Sequence, residues 1–332
     1  MSACPSMTRP TEDSLIARFF APIADQAGLG LRDDAACFAP TPGRDLVLTV
    51  DALVESVHFL PDDPPGSVAR KALGVNVSDL AAKGADPRGF LLSLALPMGW
   101  TEEWLAAFAA GLGEAAREFG CPLLGGDTVK ASGALSLSVT ALGEVPSGRM
   151  VRRTTARPGD AICVSGTIGD AALGLDLRRD PAWAAFLSED ERSHLADRYL
   201  HPRPRHGLAR ALRRYAHAAM DVSDGLAGDL AKMLRVSGVT GWVDAEAVPL
   251  SDATRRAVGV EPRLLDRALT GGDDYEILCT CPKDRIDSLV EEADKAGVPV
   301  TVIGQVLAGE GLPAFRFGDT ERRFETGSFS HF

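Results

Sequence analysis

Six short phrases spread along the chain set aspartate beside glycine, small residues or the end of an apolar run. They are Arg32-Asp33-Asp34, Val50-Asp51, Ser78-Asp79, Gly125-Gly126-Asp127, Asp221-Val222-Ser223-Asp224-Gly225 and Gly271-Gly272-Asp273-Asp274. Carboxylates placed repeatedly at the ends of apolar segments predict a fold that gathers them into one cluster. Such a cluster repels itself unless divalent cations neutralise it, which points to magnesium and phosphate chemistry.

With 332 residues the chain is long for a single core, and two domains are expected. Hydrophobic content of 45% with 24% charged residues matches a soluble globular protein. A net charge of −11 argues against a nucleic-acid or anionic-membrane partner, since both require clustered Lys and Arg. The longest apolar stretches, near Phe90 to Trp100 and Ala131 to Gly143, fall short of a membrane span, and Met1 to Thr11 has no apolar signal core. Residues 1–12 therefore read as a flexible tail, and a cytoplasmic location is expected. The cysteines form no Cys-x-x-Cys pair; Cys279 and Cys281 alternate about Thr280 on a strand-like run, as small buried residues rather than zinc ligands.

The pattern of elements is α/β (α+β). Leu46 to Val50 reads as a strand ending at Asp51, and Ser67 to Lys83 as a helix on which Asn76 and Asp79 share a face. Phe90 to Leu96 reads as a strand. Thr101 caps a helix carrying Leu105, Phe108, Leu112, Ala115 and Phe119 at helical spacing, and Leu123 to Asp127 and Leu135 to Val145 complete a set of strands. The basic, proline-broken segment Arg149 to Asp160 marks a boundary between residues 13–150 and 151–332. Beyond it come a strand at Ala161 to Ser165, a helix opened by Gly166 to Gly169, and a helical stretch from Leu195 to Ala219 interrupted by Pro202 and Pro204. A brief apolar run at Ala218 to Val222 precedes a helix from Leu226 to Val236. Strands at Gly241 to Val243, Glu276 to Cys281 and Val298 to Ile303 follow, with a helix from Asp284 to Lys295 between the last two.

No Walker A loop, dinucleotide fingerprint or protein-kinase motif set is present, so a bound nucleotide must be held by another scheme. Magnesium usually joins one or two carboxylates to substrate phosphates while keeping several waters. Taken singly each phrase has a plain alternative. Asp33-Asp34 and Asp127 could be turn residues, Asp79 could pair with Lys83, and Asp221 or Asp224 could cap the helix near Leu226. Gly166-x-x-Gly169 could cradle phosphate or form a tight turn, and Arg149, Arg152 and Arg153 could solubilise the linker or meet a polyphosphate. His58 could be a general base or a half-buried polar residue.

Together these segments resemble the thiamine-monophosphate kinase family, within the aminoimidazole ribonucleotide synthetase superfamily. The matching phrases are Leu31 to Ala36, Thr49-Val50-Asp51, Val57-His58-Phe59, Asn76 to Pro87, Gly125 to Thr128, Asp221 to Leu226 and Gly271 to Glu276, in the family's order. The resemblance implies ATP-dependent phosphorylation of thiamine phosphate to thiamine diphosphate. It implies an N-terminal ATP- and magnesium-binding domain whose strands pair across a homodimer, a C-terminal α/β domain, and an active site in the cleft between them. By motif position it makes Asp34, Thr49, Asp51, Asp79, Asp127, Asp221 and Asp224 ligands of several magnesium ions, with Asp51, Asp79 and Asp127 central to catalysis. Gly126, Asp127, Arg153 and Ser223 would meet ATP, and His58, Asp273 and Phe329 would meet thiamine phosphate.

Arg32, Val50, Asp273 and Phe329 depart from the family pattern of glycine, threonine, glutamate and a polar aromatic residue. Rival readings are another ATP-using member of the superfamily, or a two-metal phosphohydrolase. The first would need a reactive or terminal cysteine in a context this chain lacks, or would lack the Gly271-to-Glu276 phrase in this form, and the second would need a basic track that the charge disfavours.

Overall fold

The computed structural model describes residues 10–325 and Gly327. The elements, in chain order, are helix α1 (Glu12–Leu15), strand β1 (Arg44–Val54), α2 (Pro65–Ala82), β2 (Asp86–Leu96), α3 (Glu102–Glu118), β3 (Leu123–Lys130) and β4 (Ser136–Pro146). They continue with β5 (Ala161–Ser165), α4 (Asp170–Leu177), α5 (Glu189–Leu200), α6 (Ala209–Tyr215), β6 (Ala218–Asp221), α7 (Leu226–Val236) and β7 (Thr240–Asp244). The last are α8 (Asp252–Val260), α9 (Leu264–Thr270), β8 (Ile277–Cys281), α10 (Ile286–Lys295), β9 (Val300–Leu307), β10 (Ala314–Phe317) and β11 (Thr320–Arg322). The expected α/β class is what is found. By contacts the chain divides into two units, the first taking in residues up to Pro40, Val50–Leu73 and Arg88–Ala141, the second Thr41–Thr49, Gly74–Pro87 and the chain from Leu142 onward.

A four-stranded sheet has the order β1-β4-β2-β3, with β2 and β3 parallel. Burial alternates along β2, where Phe90, Leu92, Leu94 and Leu96 are buried and Leu91 and Ser93 exposed, the signature of a sheet covered on one face. Helix α3 supplies cover in the first unit through Leu105, Phe108, Leu112 and Ala115, and the Thr101 hydroxyl accepts the Trp104 amide at 3.1 Å, as its position predicted. Gly126 is required by packing. A Cβ there would lie 1.9 Å from the Leu92 carbonyl oxygen.

The second unit holds a seven-stranded sheet of order β11-β10-β7-β9-β5-β8-β6. Strands β5, β8 and β6 are apolar on both faces because cores form on both. Ile162, Val164, Met220 and Leu278 join one; Cys163, Ala219, Cys279 and Cys281 join the other. The expectation that Cys279 and Cys281 are buried small residues is thereby met.

Several boundaries differ from those read in the sequence. The helix expected from Leu195 starts at Glu189, where Ser188 and Glu191 form a reciprocal capping box, and it stops at Leu200 before the prolines. Helices α8 and α9 and strands β10 and β11 were not foreseen; the strands are short and reach order by pairing with β7 and with each other.

Candidate active site

Strand β6 lies at the edge of the seven-stranded sheet and ends on Asp221, whose backbone pairs with Ile277 of β8. That pairing brings two aspartate phrases together. The amide of Val222 donates to the Glu276 carbonyl at 2.8 Å, that of Tyr275 to Val222 at 2.9 Å, and that of Asp273 to Ser223 at 2.9 Å. The approach demands glycine, since a Cβ on Gly272 would lie 2.3 Å from the Ser223 carbonyl oxygen. Asp273 and Tyr275 themselves hold φ of 73° and 51°, a left-handed conformation that costs energy for residues other than glycine.

Beside this junction is a cavity of about 440 Å³. Asp79, Asp221, Asp224 and Asp229 line it with Lys83, Arg152, Arg153 and Lys232. Asp221 is buried, and the Ser78 hydroxyl donates to its Oδ2 at 2.7 Å. Burial first, and then the charge of Asp79, push its carboxyl well above the usual carboxylate range. The Thr49 hydroxyl donates to Asp79 Oδ2. Lys83 is drawn below the usual lysine value by burial, with Asp221 and Asp79 pulling the other way; its ammonium donates to the Ala219 carbonyl at 2.7 Å. Lys232 bridges Asp224 and Asp229, and its pKa stays above the ordinary value because those contacts outweigh its own burial.

Sequence reading placed Thr49, Asp79, Asp221, Asp224, Arg153 and Ser223 among the site residues. The structure gathers Asp79, Asp221, Asp224, Arg153 and Ser223 around this cavity and bonds Thr49 to Asp79. It corrects one alternative: neither Asp221 nor Asp224 caps α7, whose N-cap is Gly225 with no side-chain bond, while Asp229 inside the helix accepts the Asp224 amide at 2.9 Å. Arg152 was named, with Arg149 and Arg153, as a linker residue that could meet a polyphosphate; Lys83 and Lys232 were not singled out as members of the cluster. Their partners are set by the tertiary fold, and only the closeness of Lys83 to Asp79 in the chain hinted at one of them.

Apart from Phe329, the remaining site residues belong to the first unit or to the 271–276 phrase. Asp34 is exposed on a loop, and its amide donates to Asp33 Oδ1 at 2.8 Å. Arg32, expected to restrict the backbone in place of glycine, adopts an ordinary φ of −111°. Asp51 is half-buried, with its carbonyl accepting the Ser138 hydroxyl at 3.2 Å; Val50 points the opposite way and is 61% exposed. Asp127 is exposed, in register with Ser93 of β2. His58 is half-buried, and its Nδ1 accepts the Val54 amide at 3.0 Å, so a neutral ring carries its proton on Nε2 and meets other groups there as a donor. Asp273 is half-buried, and Phe329 lies outside the described residues.

The two other acidic residues of the 271–276 phrase are structural. Asp274 accepts the Gly169 amide at 2.8 Å at the start of α4, and Glu276 is enclosed by Ser165, Arg198 and Arg205. In the Gly166 to Gly169 turn three amides are already engaged, those of Gly166, Ile168 and Gly169 bonding to Pro299, Pro249 and Asp274, which favours the tight-turn reading over a phosphate cradle.

Among the described residues no three His, Cys, Asp or Glu side chains form a ready-made metal cage. Magnesium does not need one, because it keeps waters and takes phosphate oxygens as ligands. Asp79 and Asp221 fit it on chemical grounds: hard oxygen donors, one of them buried, and a mutual repulsion that a divalent cation relieves.

The chain matches the family models of the AIR synthase related protein, over residues 32–145 for the N-terminal domain and 157–315 for the C-terminal domain. A curated relative, thiamine-monophosphate kinase of Caulobacter vibrioides, is 41% identical over 322 residues, spanning 96% of this chain and 90% of the relative. The crystal structure of thiamine-monophosphate kinase from Stenotrophomonas maltophilia K279a superimposes with a TM-score of 0.79 at 41% identity, covering 86% of this chain and 89% of that one. AaThiL complexed with AMPPCP and TMP superimposes with a TM-score of 0.78 at 31% identity, covering 98% and 100%. This chain belongs to the thiamine-monophosphate kinase family.

Proposed function

We propose that this protein transfers the γ-phosphoryl group of ATP to the phosphate of thiamine phosphate, giving ADP and thiamine diphosphate. The observation that carries the reading is the cavity in which the Asp79 and Asp221 carboxylates face Lys83, Arg152, Arg153 and Lys232, a mixture of charges suited to a metal-bound polyphosphate. The relative solved with AMPPCP and TMP, similar over the whole chain, supports the same substrates.

In the proposed in-line step an oxygen of the acceptor phosphate forms a bond to the γ-phosphorus as the bond to the β–γ bridging oxygen breaks, its electron pair leaving with ADP. A phosphate monoester has a second pKa of about 6, so the acceptor is largely ionised at neutral pH and needs no strong base. His58 fits a binding role, because its Nδ1 is already occupied by an amide. The barrier is repulsion between two polyanions. Arg153 and Ser223 would hold the nucleotide phosphates from the cavity wall, and Gly126 and Asp127 would complete the nucleotide contacts. Bound magnesium would neutralise the phosphate charge and orient the reacting oxygens, with Asp34, Thr49, Asp51, Asp79, Asp127, Asp221 and Asp224 as the ligand set. His58, Asp273 and Phe329 would receive thiamine phosphate.

The domains proposed are residues 13–150 and 151–332, a division that the two family matches support. A homodimer is proposed as well. Leu46, Leu48 and Val50 project from one side of β1 with 43–62% of their surface exposed, an apolar strand face suited to a second copy. No described helix is long and apolar enough to cross a membrane. A cytoplasmic location, where ATP is available, is proposed.

The test is to incubate the purified protein with magnesium, ATP and either thiamine phosphate or free thiamine. ADP and thiamine diphosphate should form from the first alone. Turnover of free thiamine, or none of thiamine phosphate, would overturn the assignment.

A further inference from the structure

On the cavity wall, Lys232 sits in helix α7 with its ammonium between Asp224 and the Oδ1 of Asp229, the latter at 3.0 Å. Asp229 is fully buried, and its second oxygen accepts the Asp224 amide at 2.9 Å. The pair Asp229 and Lys232 therefore grips Asp224 twice, by backbone and by side chain. Lys83, by comparison, spends a bond on a main-chain carbonyl deep beside Asp221. Lys232 is held by carboxylates alone among its described bonds, on a flexible four-carbon stem and with about a third of its side chain exposed.

The ammonium sits on Oδ2 of Asp224, a carboxylate that the proposed function assigns to a divalent cation. Two positive charges cannot share one carboxylate edge without repelling each other. From this geometry we infer that Lys232 is a place-holding cation. In the ligand-free protein it pairs with Asp224 and holds that side chain on the cavity wall. When metal-bound nucleotide enters, the metal takes Asp224 and Lys232 turns its charge to the phosphate chain. The exchange makes metal and nucleotide bind together rather than separately, and it rests on the proposed function through Asp224 as a metal ligand.

The test measures two dissociation constants by calorimetry, one for magnesium alone and one for AMPPCP at saturating magnesium. Lys232→Met should tighten magnesium alone and weaken the nucleotide, each on the order of tenfold, the scale of a charged hydrogen bond near a surface. Lys232→Gln, which can still donate to both carboxylates without the charge, should shift the constants in the same opposed directions and serves if burial of an uncompensated Asp229 prevents Lys232→Met from folding. Arg235→Met, which removes an exposed cation from the same helix, should leave both constants within twofold. The inference is overturned if both constants for the folded Lys232 variant match wild type or move together, or if Arg235→Met reproduces the shifts. A wild-type protein that makes no thiamine diphosphate while Lys232→Gln shows the opposed shifts would remove the function and leave the exchange standing. Normal turnover with unshifted constants would do the reverse.

Discussion

Two buried aspartates in the second unit stand in opposite surroundings. Asp170, at the start of α4, receives the hydroxyls of Thr167 at 2.6 Å, Ser251 at 2.5 Å and Thr254 at 2.7 Å, with His194 at 3.2 Å. Burial alone would raise its pKa, but these bonds overcome it and bring the carboxyl down to about 2. Asp221, buried to a similar depth, has the Ser78 hydroxyl and Lys83 in its favour and burial, Asp79 and Asp229 against it, and it is pushed up. The chain itself completes the environment of Asp170. For Asp221 it leaves a carboxyl raised by burial and by Asp79 beside a cavity; since burial also raises the enclosed Asp274, it is the cavity that, on the proposed function, marks Asp221 as a metal ligand.

The largest effect that could break this contrast is kinetic. Asp221→Asn and Asp79→Asn should each lower kcat by about 10²- to 10³-fold at saturating magnesium in steady-state assays, the scale of lost electrostatic stabilisation. Near-wild-type turnover in either would make the pair structural. Next come the carboxylates of the first unit, which are exposed or half-buried: Asp51→Asn, Asp34→Asn and Asp127→Asn are expected to cost about 10²-fold if they complete the metal set. A loss confined to KM for ATP, with kcat retained, would move that residue from the ligand set to nucleotide binding.

Asp170→Asn should behave in the other way. Its amide would confront hydroxyl donors with donors of its own, lowering stability in urea by about 2–3 kcal/mol while the folded variant keeps its kcat. The same residue gives a pH signature. Its folded pKa is depressed, so its contribution is present above the unfolded value of 3.8 and is lost as pH falls toward about 2. That contribution is roughly 2 kcal/mol. Wild type should therefore lose stability faster than Asp170→Asn between pH 4 and pH 2, and equal slopes in acid-melting curves would contradict the assignment.

Much of the fold was legible because burial leaves a period in the sequence. Ala161–Ser165 and Leu226–Val236 lie where their apolar patterns predicted. Strands β10 and β11, of four and three residues, carry too few positions to show a period and gain order from their neighbours. Helix α5 was misplaced because its first turn, Glu189-Asp190-Glu191, is acidic and has no apolar stripe, although Ser188 and Glu191 together spelled its cap. For the site, aspartate at the end of an apolar run marked residues that the fold brings to the cavity, such as Asp221 at the end of β6. The cations were hidden: Lys232 reaches Asp224 from eight residues away across the start of α7, and Lys83 finds Ala219 across 136 residues.

The most direct measurement is thermal unfolding of wild type and Asp221→Asn, with and without magnesium and AMPPCP. Removing the repelled charge should raise Tm of the unliganded variant above wild type, while ligand should raise Tm of wild type strongly and of the variant little. If Asp221→Asn instead melts below wild type without ligand and gains as much when ligand is added, Asp221 is a structural carboxylate and the account fails.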